Sequence, residues 1–369
     1  MIYVRTFFVT VGAVLGLIAA INFAVDLDGT YRGGFSLEKR IAGILATGRA
    51  VDVVSDFNHH FMQKHLVTTA GLDPDLIVLG SSRSLLVDAD LFPGRRLFVH
   101  AIPLARIEDY IALYGLHSDR PRRPRTVVVA ADPWIFLPKK NYGAECDLLA
   151  EEFSRGARQI PEYGHGPTCS IARKWGILIS IPRLHETVVK FAHRAWSGDR
   201  SKCREIRVAD GSRSDCGVRR PDGTYAYPTA FASRSPETVA DFARLVASRR
   251  GTIQGFEEDY RHIDPVRVGE FQGFLSYLRR AGADVVVVLA PYNPVYVENV
   301  ETRPAWLWVM KADAAIRKAS VDAGVPLVGS FNPGKTRCDS ADFVDTHHPR
   351  TSCYAKLFQQ LPPAMLGRR

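Results

Sequence analysis

The sequence contains no internal repeat and no low-complexity tract, and it has no CxxC pair and no histidine–cysteine cluster with zinc-site spacing. We therefore expect no structural metal and no cofactor. Of its 369 residues, 46% are hydrophobic and 24% are charged. This balance excludes a disordered chain and is typical of a globular domain with a large core.

Basic residues are not concentrated on one segment, although the formal net charge is +9. The densest group is Arg120, Arg122, Arg123 and Arg125, interleaved with prolines. Such a run is typical of a solvated loop, and contact with anionic lipid or an acidic polymer is the alternative. We therefore expect no nucleic-acid partner.

Long apolar runs are scarce, and the longest lies at the amino terminus. Residues 7–25 form nineteen uncharged positions, enough for a helix to cross a hydrocarbon core of roughly 30 Å. Arg5 precedes the run, whereas Asp26 and Asp28 follow it. The positive-inside rule therefore predicts a single-pass anchor with the remaining chain outside the cytoplasm.

A cleaved signal peptide is the competing interpretation, because Ala19, Ala20 and Ala24 are small residues near the end of the run. The run is longer than a usual signal core, which favours an uncleaved anchor. Either interpretation exports the domain. We divide the chain into a stub and anchor (1–30), a helical or irregular lead-in without a firm strand (31–74), and a domain (75–369) with an insertion at about 139–263.

The six cysteines all follow the apolar run, as expected for disulfides in an oxidising compartment. Six cysteines allow 15 pairings. Proximity in sequence favours Cys203 with Cys216, and Cys338 with Cys353.

Short apolar segments alternate with helical patterns over much of the chain. Segments 76–79, 97–99, 126–131, 285–290 and 325–328 read as buried strands, and 105–116 and 306–321 read as helices. This alternation predicts an α/β fold with a mainly parallel sheet between two helical layers. A functional site is expected at the carboxyl ends of the strands.

Two motifs contain residues suited to nucleophilic catalysis. Gly80, Ser81, Ser82 and Arg83 directly follow the first predicted strand, where a serine either projects its hydroxyl or simply caps a helix. Near the carboxyl terminus, Asp345 stands three residues before His348, which Pro349 keeps extended. A carboxylate so placed can orient an imidazole as a base, and an exposed turn is the alternative.

Together the two motifs resemble the SGNH (GDSL-like) hydrolase superfamily, in particular extracytoplasmic members such as the alginate-acetylation and teichoic-acid D-alanylation proteins. The resemblance implies a flavodoxin-like three-layer fold with Ser82 as nucleophile, His348 as base and Asp345 as its orienting acid. Ser81 is the alternative nucleophile. Candidates for oxyanion or substrate contacts are Gly80, Arg83, Asp132 and Asn293.

The resemblance is incomplete, because the family's oxyanion glycine and asparagine are not plainly present in segments 98–103 and 131–134. The expected activity is acyl-ester hydrolysis or O-acyl transfer on an envelope polysaccharide or lipid-linked sugar. The alternative is an inactive assembly factor that binds polymer or a membrane-bound acyltransferase. A tethered solute-binding protein is a third interpretation.

Overall fold

Two sheets organise the chain after its amino-terminal helix. They are seen in a computed structural model, which describes residues 2–26, 34–53, 57–118, 120, 122–137, 148–163, 176, 178–185, 188–189, 203, 206–210, 215–249, 262–362 and 365. The helices are α1 (Ile2–Val25), α2 (Ser36–Ala46), α3 (His59–Thr69), α4 (Ile107–Ser118), α5 (Ala150–Ala157), α6 (Thr229–Ala232), α7 (Pro236–Ser248), α8 (Pro265–Arg280), α9 (Pro294–Glu298), α10 (Pro304–Asp322) and α11 (Thr351–Phe358). The strands are β1 (Val51–Val53), β2 (Leu76–Gly80), β3 (Leu97–Ala101), β4 (Thr126–Ala130), β5 (Arg207–Val208), β6 (Gly217–Arg219), β7 (Tyr225–Ala226), β8 (Asp284–Leu289) and β9 (Leu327–Gly329).

Within the described ranges, α1 is the one helix that is long and apolar enough to cross a membrane, with a mean hydropathy of 2.3. Most of its apolar side chains are exposed, including Phe7, Phe8 and Leu17. A soluble domain would bury such a surface, so this exposure fits contact with lipid.

The larger sheet has five parallel strands in the order β3-β2-β4-β8-β9. This confirms the predicted α/β class and the parallel sheet. Its strands are short runs of β-branched and other apolar residues, and successive side chains enter different apolar clusters. Ile77 and Leu79 pack into one cluster with α4, α8 and α10, whereas Leu76 and Val78 pack into a second cluster with α11. The sheet is therefore buried on both faces, as continuous apolar strands require.

A smaller antiparallel sheet, in the order β5-β1-β6-β7, joins the lead-in to the insertion. The sequence pattern predicts no firm strand in the lead-in, but Val51–Val53 pairs there with both β5 and β6. Three residues are too few to show the alternation of apolar and polar residues that is typical of a strand. Their pairing partners lie more than 150 positions away in sequence. This strand therefore depends on tertiary pairing and not on local pattern.

Described parts of the insertion cover the edge strand β3. The backbone N–H of Val99 donates to the carbonyl of Asp222 at 2.8 Å, so the turn before β7 extends the sheet edge. Gly223 has φ +82° there, and a Cβ on it would lie 2.2 Å from the Val99 carbonyl oxygen. Only glycine fits this approach, and the contact protects an edge that would otherwise expose unpaired backbone groups.

Both favoured disulfides are present. Cys203 bonds to Cys216, and Cys338 bonds to Cys353. Cys146 and Cys169 lie outside the described residues. Two disulfides fit folding in an oxidising compartment.

Candidate functional site

The turn after β2 separates the two candidate serines. Ser81 is fully buried, and its hydroxyl accepts a hydrogen bond from the Arg83 backbone N–H at 3.2 Å, as a cap of the short 3₁₀ helix Ser82–Leu86. Ser82, the next residue, is only partly buried. A cap uses its oxygen to satisfy a backbone donor, whereas Ser82 leaves its hydroxyl for other partners.

Gly80 permits this turn to pack tightly at the end of β2. A Cβ at this position would lie 2.6 Å from the Ser84 hydroxyl and 2.9 Å from the Cβ of Ala130. The Ser84 hydroxyl also donates to the Ser81 carbonyl at 2.7 Å. Gly80 therefore shapes the backbone below Ser82.

Ser82, His348 and Asp345 form a continuous hydrogen-bonded chain. The Oγ of Ser82 lies 3.1 Å from Nε2 of His348, and Nδ1 of His348 lies 2.7 Å from Oδ2 of Asp345. Because a carboxylate only accepts, Nδ1 must carry the proton, which leaves the Nε2 lone pair directed at the serine. The geometry is that of a nucleophile, a base and an orienting acid.

Backbone donors fix the Asp345 carboxylate. Its Oδ1 accepts from the N–H groups of His347 and His348, each at 2.9 Å. Burial alone would raise the pKa of Asp345, but the hydrogen bond and charge of His348 outweigh it and hold the pKa below its ordinary value. The carboxylate is therefore ionised at neutral pH.

His347 packs against the proposed base, with ring centroids 4.0 Å apart. Burial, followed by the nearby charge of His348, lowers the pKa of His347 to about 3. Its Nδ1 lies 2.8 Å from the Thr346 hydroxyl. A neutral His347 adds no competing charge beside His348.

Local cross-links hold the segment that carries Asp345 and His348. The Cys338–Cys353 disulfide encloses it, and the Val344 N–H donates to the carbonyl of His348 at 3.0 Å. The Arg350 N–H donates to the carbonyl of Asp342 at 2.7 Å. We refer to residues 342–350 as the histidine loop.

Arg83 lies beneath the site, with 2% of its surface exposed. Its Nε donates to the carbonyl of His347 at 3.0 Å, and one terminal nitrogen donates to Asp132 at 3.0 Å. The other terminal nitrogen of Arg83 donates to the carbonyl of Pro291 at 2.9 Å and also to the carbonyl of Ala290. Arg83 therefore joins the serine turn to the histidine loop and to the ends of β4 and β8.

Asp132 and Asn293 are also buried, with 2% and 0% of their surface exposed. Burial raises the pKa of Asp132, and the Arg83 guanidinium opposes that rise. Asn293 caps α9 by accepting from the Val295 N–H at 2.9 Å, and its amide donates to the Asp345 carbonyl at 3.3 Å. The contacts of both side chains are with protein groups that support the site.

The turns after β2 and β3 carry backbone N–H groups without a hydrogen-bond partner among the described residues. In the described part of the chain, the N–H groups of Ser82 and Leu104 have no hydrogen-bond partner. Leu104 follows β3, the neighbour of β2, and Ile102 of the same loop donates to the Gly80 carbonyl at 3.1 Å. Leu104 has φ +55° and is 58% exposed, a conformation that costs a non-glycine residue roughly 1–2 kcal/mol. Strain at a loop beside a candidate nucleophile is a signal that composition alone does not reveal.

The insertion contributes Tyr227, a residue that the sequence motifs do not indicate. Its ring centroid lies 6.0 Å from that of His348. Burial, followed by the charge of Asp345, raises the pKa of Tyr227, so its hydroxyl stays protonated. Arg350 holds this segment in place by donating to the carbonyl of Ala232 at 2.7 Å.

Potential ligand atoms of Asp345, His347 and His348 lie within 4.8 Å of one another, close enough to share a cation. However, the 2.7 Å contact between His348 Nδ1 and Asp345 already uses two of these groups in a hydrogen bond.

No protein-family model matches the chain, and no curated protein is significantly similar to it.

Proposed function

We propose that this chain is a membrane-anchored, extracytoplasmic serine enzyme of the SGNH type, with a three-layer α/β/α domain. It catalyses acyl-ester hydrolysis or O-acyl transfer on an envelope polysaccharide or a lipid-linked sugar. The observation that carries the proposal is the 3.1 Å separation between Ser82 Oγ and His348 Nε2, two residues 266 positions apart in sequence.

The reaction follows from the hydrogen-bonded chain. Ser82 Oγ attacks the ester carbonyl while His348 Nε2 takes its proton, and Asp345 stabilises the imidazolium that forms. The C–O bond to the leaving alcohol then breaks, and His348 returns the proton to that oxygen. The acyl group is left on Ser82.

A second attack releases the acyl group. Water or a sugar hydroxyl loses its proton to His348 and attacks the acyl carbonyl, after which the proton returns to Ser82. The open N–H groups of Ser82 and Leu104 are the candidate oxyanion donors, and removing one such donor costs on the order of 10²–10³ in rate. Water gives hydrolysis, whereas a sugar hydroxyl gives transfer.

The anchor supports the choice of substrate. An α1 helix that spans the membrane with Arg5 on the cytoplasmic side would hold the domain at the outer surface, where polymers and lipid-linked sugars emerge. Folding there would also form the two described disulfides. A membrane-bound acyltransferase is a candidate partner as acyl donor.

A fluorophosphonate probe, which reacts with activated serines, tests the enzyme proposal on the full chain. We expect wild type and Ser81→Ala to be labelled and Ser82→Ala to remain unlabelled. Ser81 is the matched control because it is the adjacent hydroxyl and serves as a cap. Absence of wild-type labelling at every pH tested would refute the enzyme and favour an inactive assembly factor.

Chelation separates a serine enzyme from a metal enzyme at the same residues. Labelling by the probe, and any ester hydrolysis that accompanies it, should be unchanged after dialysis against EDTA. Activity lost on chelation and restored by a divalent cation would instead assign Asp345, His347 and His348 to a metal.

A further inference from the structure

Four exposed apolar residues follow Leu178 within a short stretch of sequence. They are Ile179, Ile181, Val188 and Val189, which expose 47%, 66%, 53% and 50% of their surfaces. Single apolar residues on a protein surface are ordinary, but four exposed ones so close in sequence favour an apolar partner. We refer to these four residues as the apolar patch.

The helix itself holds the segment that carries this patch. The side-chain amide of Asn22 donates to the carbonyls of Leu178 at 2.8 Å and Ser180 at 3.3 Å, and Asn22 is 4% exposed. Asn22 stands three residues before Val25, less than one turn from the end of α1. An amide at this depth needs partners within the protein, because hydrocarbon offers none.

Ser180 links the attachment to the patch. Its carbonyl also accepts from the Leu184 N–H at 3.0 Å, and its hydroxyl accepts from the Arg183 N–H at 3.3 Å. A helical turn over residues 181–185 therefore begins at the point where α1 binds the segment. Ile179 and Ile181 flank Ser180 directly, so the end of α1 fixes their position.

We propose that the apolar patch enters the outer interface of the membrane that α1 spans, as a second lipid contact. The partner is lipid because the end of α1 binds the segment that carries the patch, and α1 exposes apolar side chains up to its last turn, where Phe23 is 42% exposed. Short apolar segments lie in such interfaces when a neighbouring element brings them to the right depth. Two contacts restrain rotation of the domain about its tether. This proposal rests on the proposed anchor and not on the enzyme activity.

The test uses the full chain in phospholipid vesicles with an environment-sensitive fluorophore on one introduced cysteine. Among the described residues no cysteine is free, and the chain without an introduced cysteine serves as the control for any labelling at Cys146 and Cys169. For Ile181→Cys we expect quenching by spin-labelled lipid and protection from aqueous iodide. Leu307→Cys on α10, with 55% exposure in the native chain, is the matched control and should show the reverse.

Two further variants separate the possible failures. Val14→Cys, in the middle of α1, should be quenched by lipid; if it is not, both the anchor and this proposal fail. If Val14→Cys is quenched while Ile181→Cys behaves like Leu307→Cys, the patch faces water and only this proposal is overturned. When Asn22→Leu is added to Ile181→Cys, quenching of the fluorophore at position 181 by lipid and by iodide should shift towards the values measured for Leu307→Cys. An unchanged value would overturn the claim that α1 sets the depth of the patch.

Discussion

A buried pair of histidines should make the domain sensitive to acid. Nε2 of His100 lies 2.8 Å from Nε2 of His117, and Nδ1 of His100 lies 2.6 Å from Oε1 of Gln63. The Gln63 amide donates to the Ala101 carbonyl at 3.0 Å, so its oxygen faces His100. His100 must then donate through Nδ1 and accept through Nε2, and His117 donates to it. Both rings are neutral in this arrangement.

The pKa values give the size of the effect. Burial, followed by the charge of Arg120, lowers the pKa of His117 to about 3, and burial followed by His117 lowers that of His100. Between pH 3 and the unfolded value of 6.5, the unfolded chain therefore binds more protons than the folded chain, and stability decreases as the pH is lowered. At pH 5.0, His117 alone should cost about 2 kcal/mol relative to pH 7.5, at 1.36 kcal/mol per pH unit.

The measurement is guanidinium unfolding of the full chain in detergent at pH 7.5 and pH 5.0. His117→Gln keeps a donor for His100 but cannot take up a proton, so its free energy of unfolding should fall by about 2 kcal/mol less than that of wild type. Other histidines with lowered pKa values, such as His59 and His347, act equally in both chains. The exposed His262→Gln should behave as wild type. Equal pH dependence in wild type and His117→Gln would refute this account.

Three further perturbations address the candidate site. Asp345→Asn should lower the rate of ester cleavage by about 10³–10⁴ while the fold is kept, because the imidazole loses its orienting acceptor; an unchanged rate on an activated ester would contradict that role. Replacing Cys338 and Cys353 by serine should lower the free energy of unfolding by about 3 kcal/mol, measured by denaturation, since the bond closes a 15-residue loop. Arg83→Gln should cost about 3–5 kcal/mol in the same assay by leaving Asp132 buried without its cation, and an unaltered midpoint would argue against the buried pair.

The sequence could predict elements whose signal is local. The run 285–290 is too apolar for a surface strand, and β8 crosses the sheet interior at 284–289. Residues 306–321 carry a helical pattern, and α10 covers 304–322. In each case the apolar residues that define the pattern also form the buried contacts.

Features that depend on distant partners could not be read in this way. Arg83 looks like an ordinary surface or ion-pair residue until Asp132 and the histidine loop are placed around it. Tyr227 has no motif of its own, because its position depends on how the insertion folds back towards His348. The spacing of Asp345 and His348 was informative because one short turn contains their whole interaction.

The Ser82–His348 contact joins residues 266 positions apart, which has a consequence for biosynthesis. Translation delivers the serine turn first, and His348 follows 266 positions later. A nascent polypeptide therefore carries Ser82 without the hydrogen-bond partner of its hydroxyl until His348 has been made. Under the proposed function, Ser82 would become reactive only after the histidine loop has docked, so the secretion machinery would not meet an active serine before then.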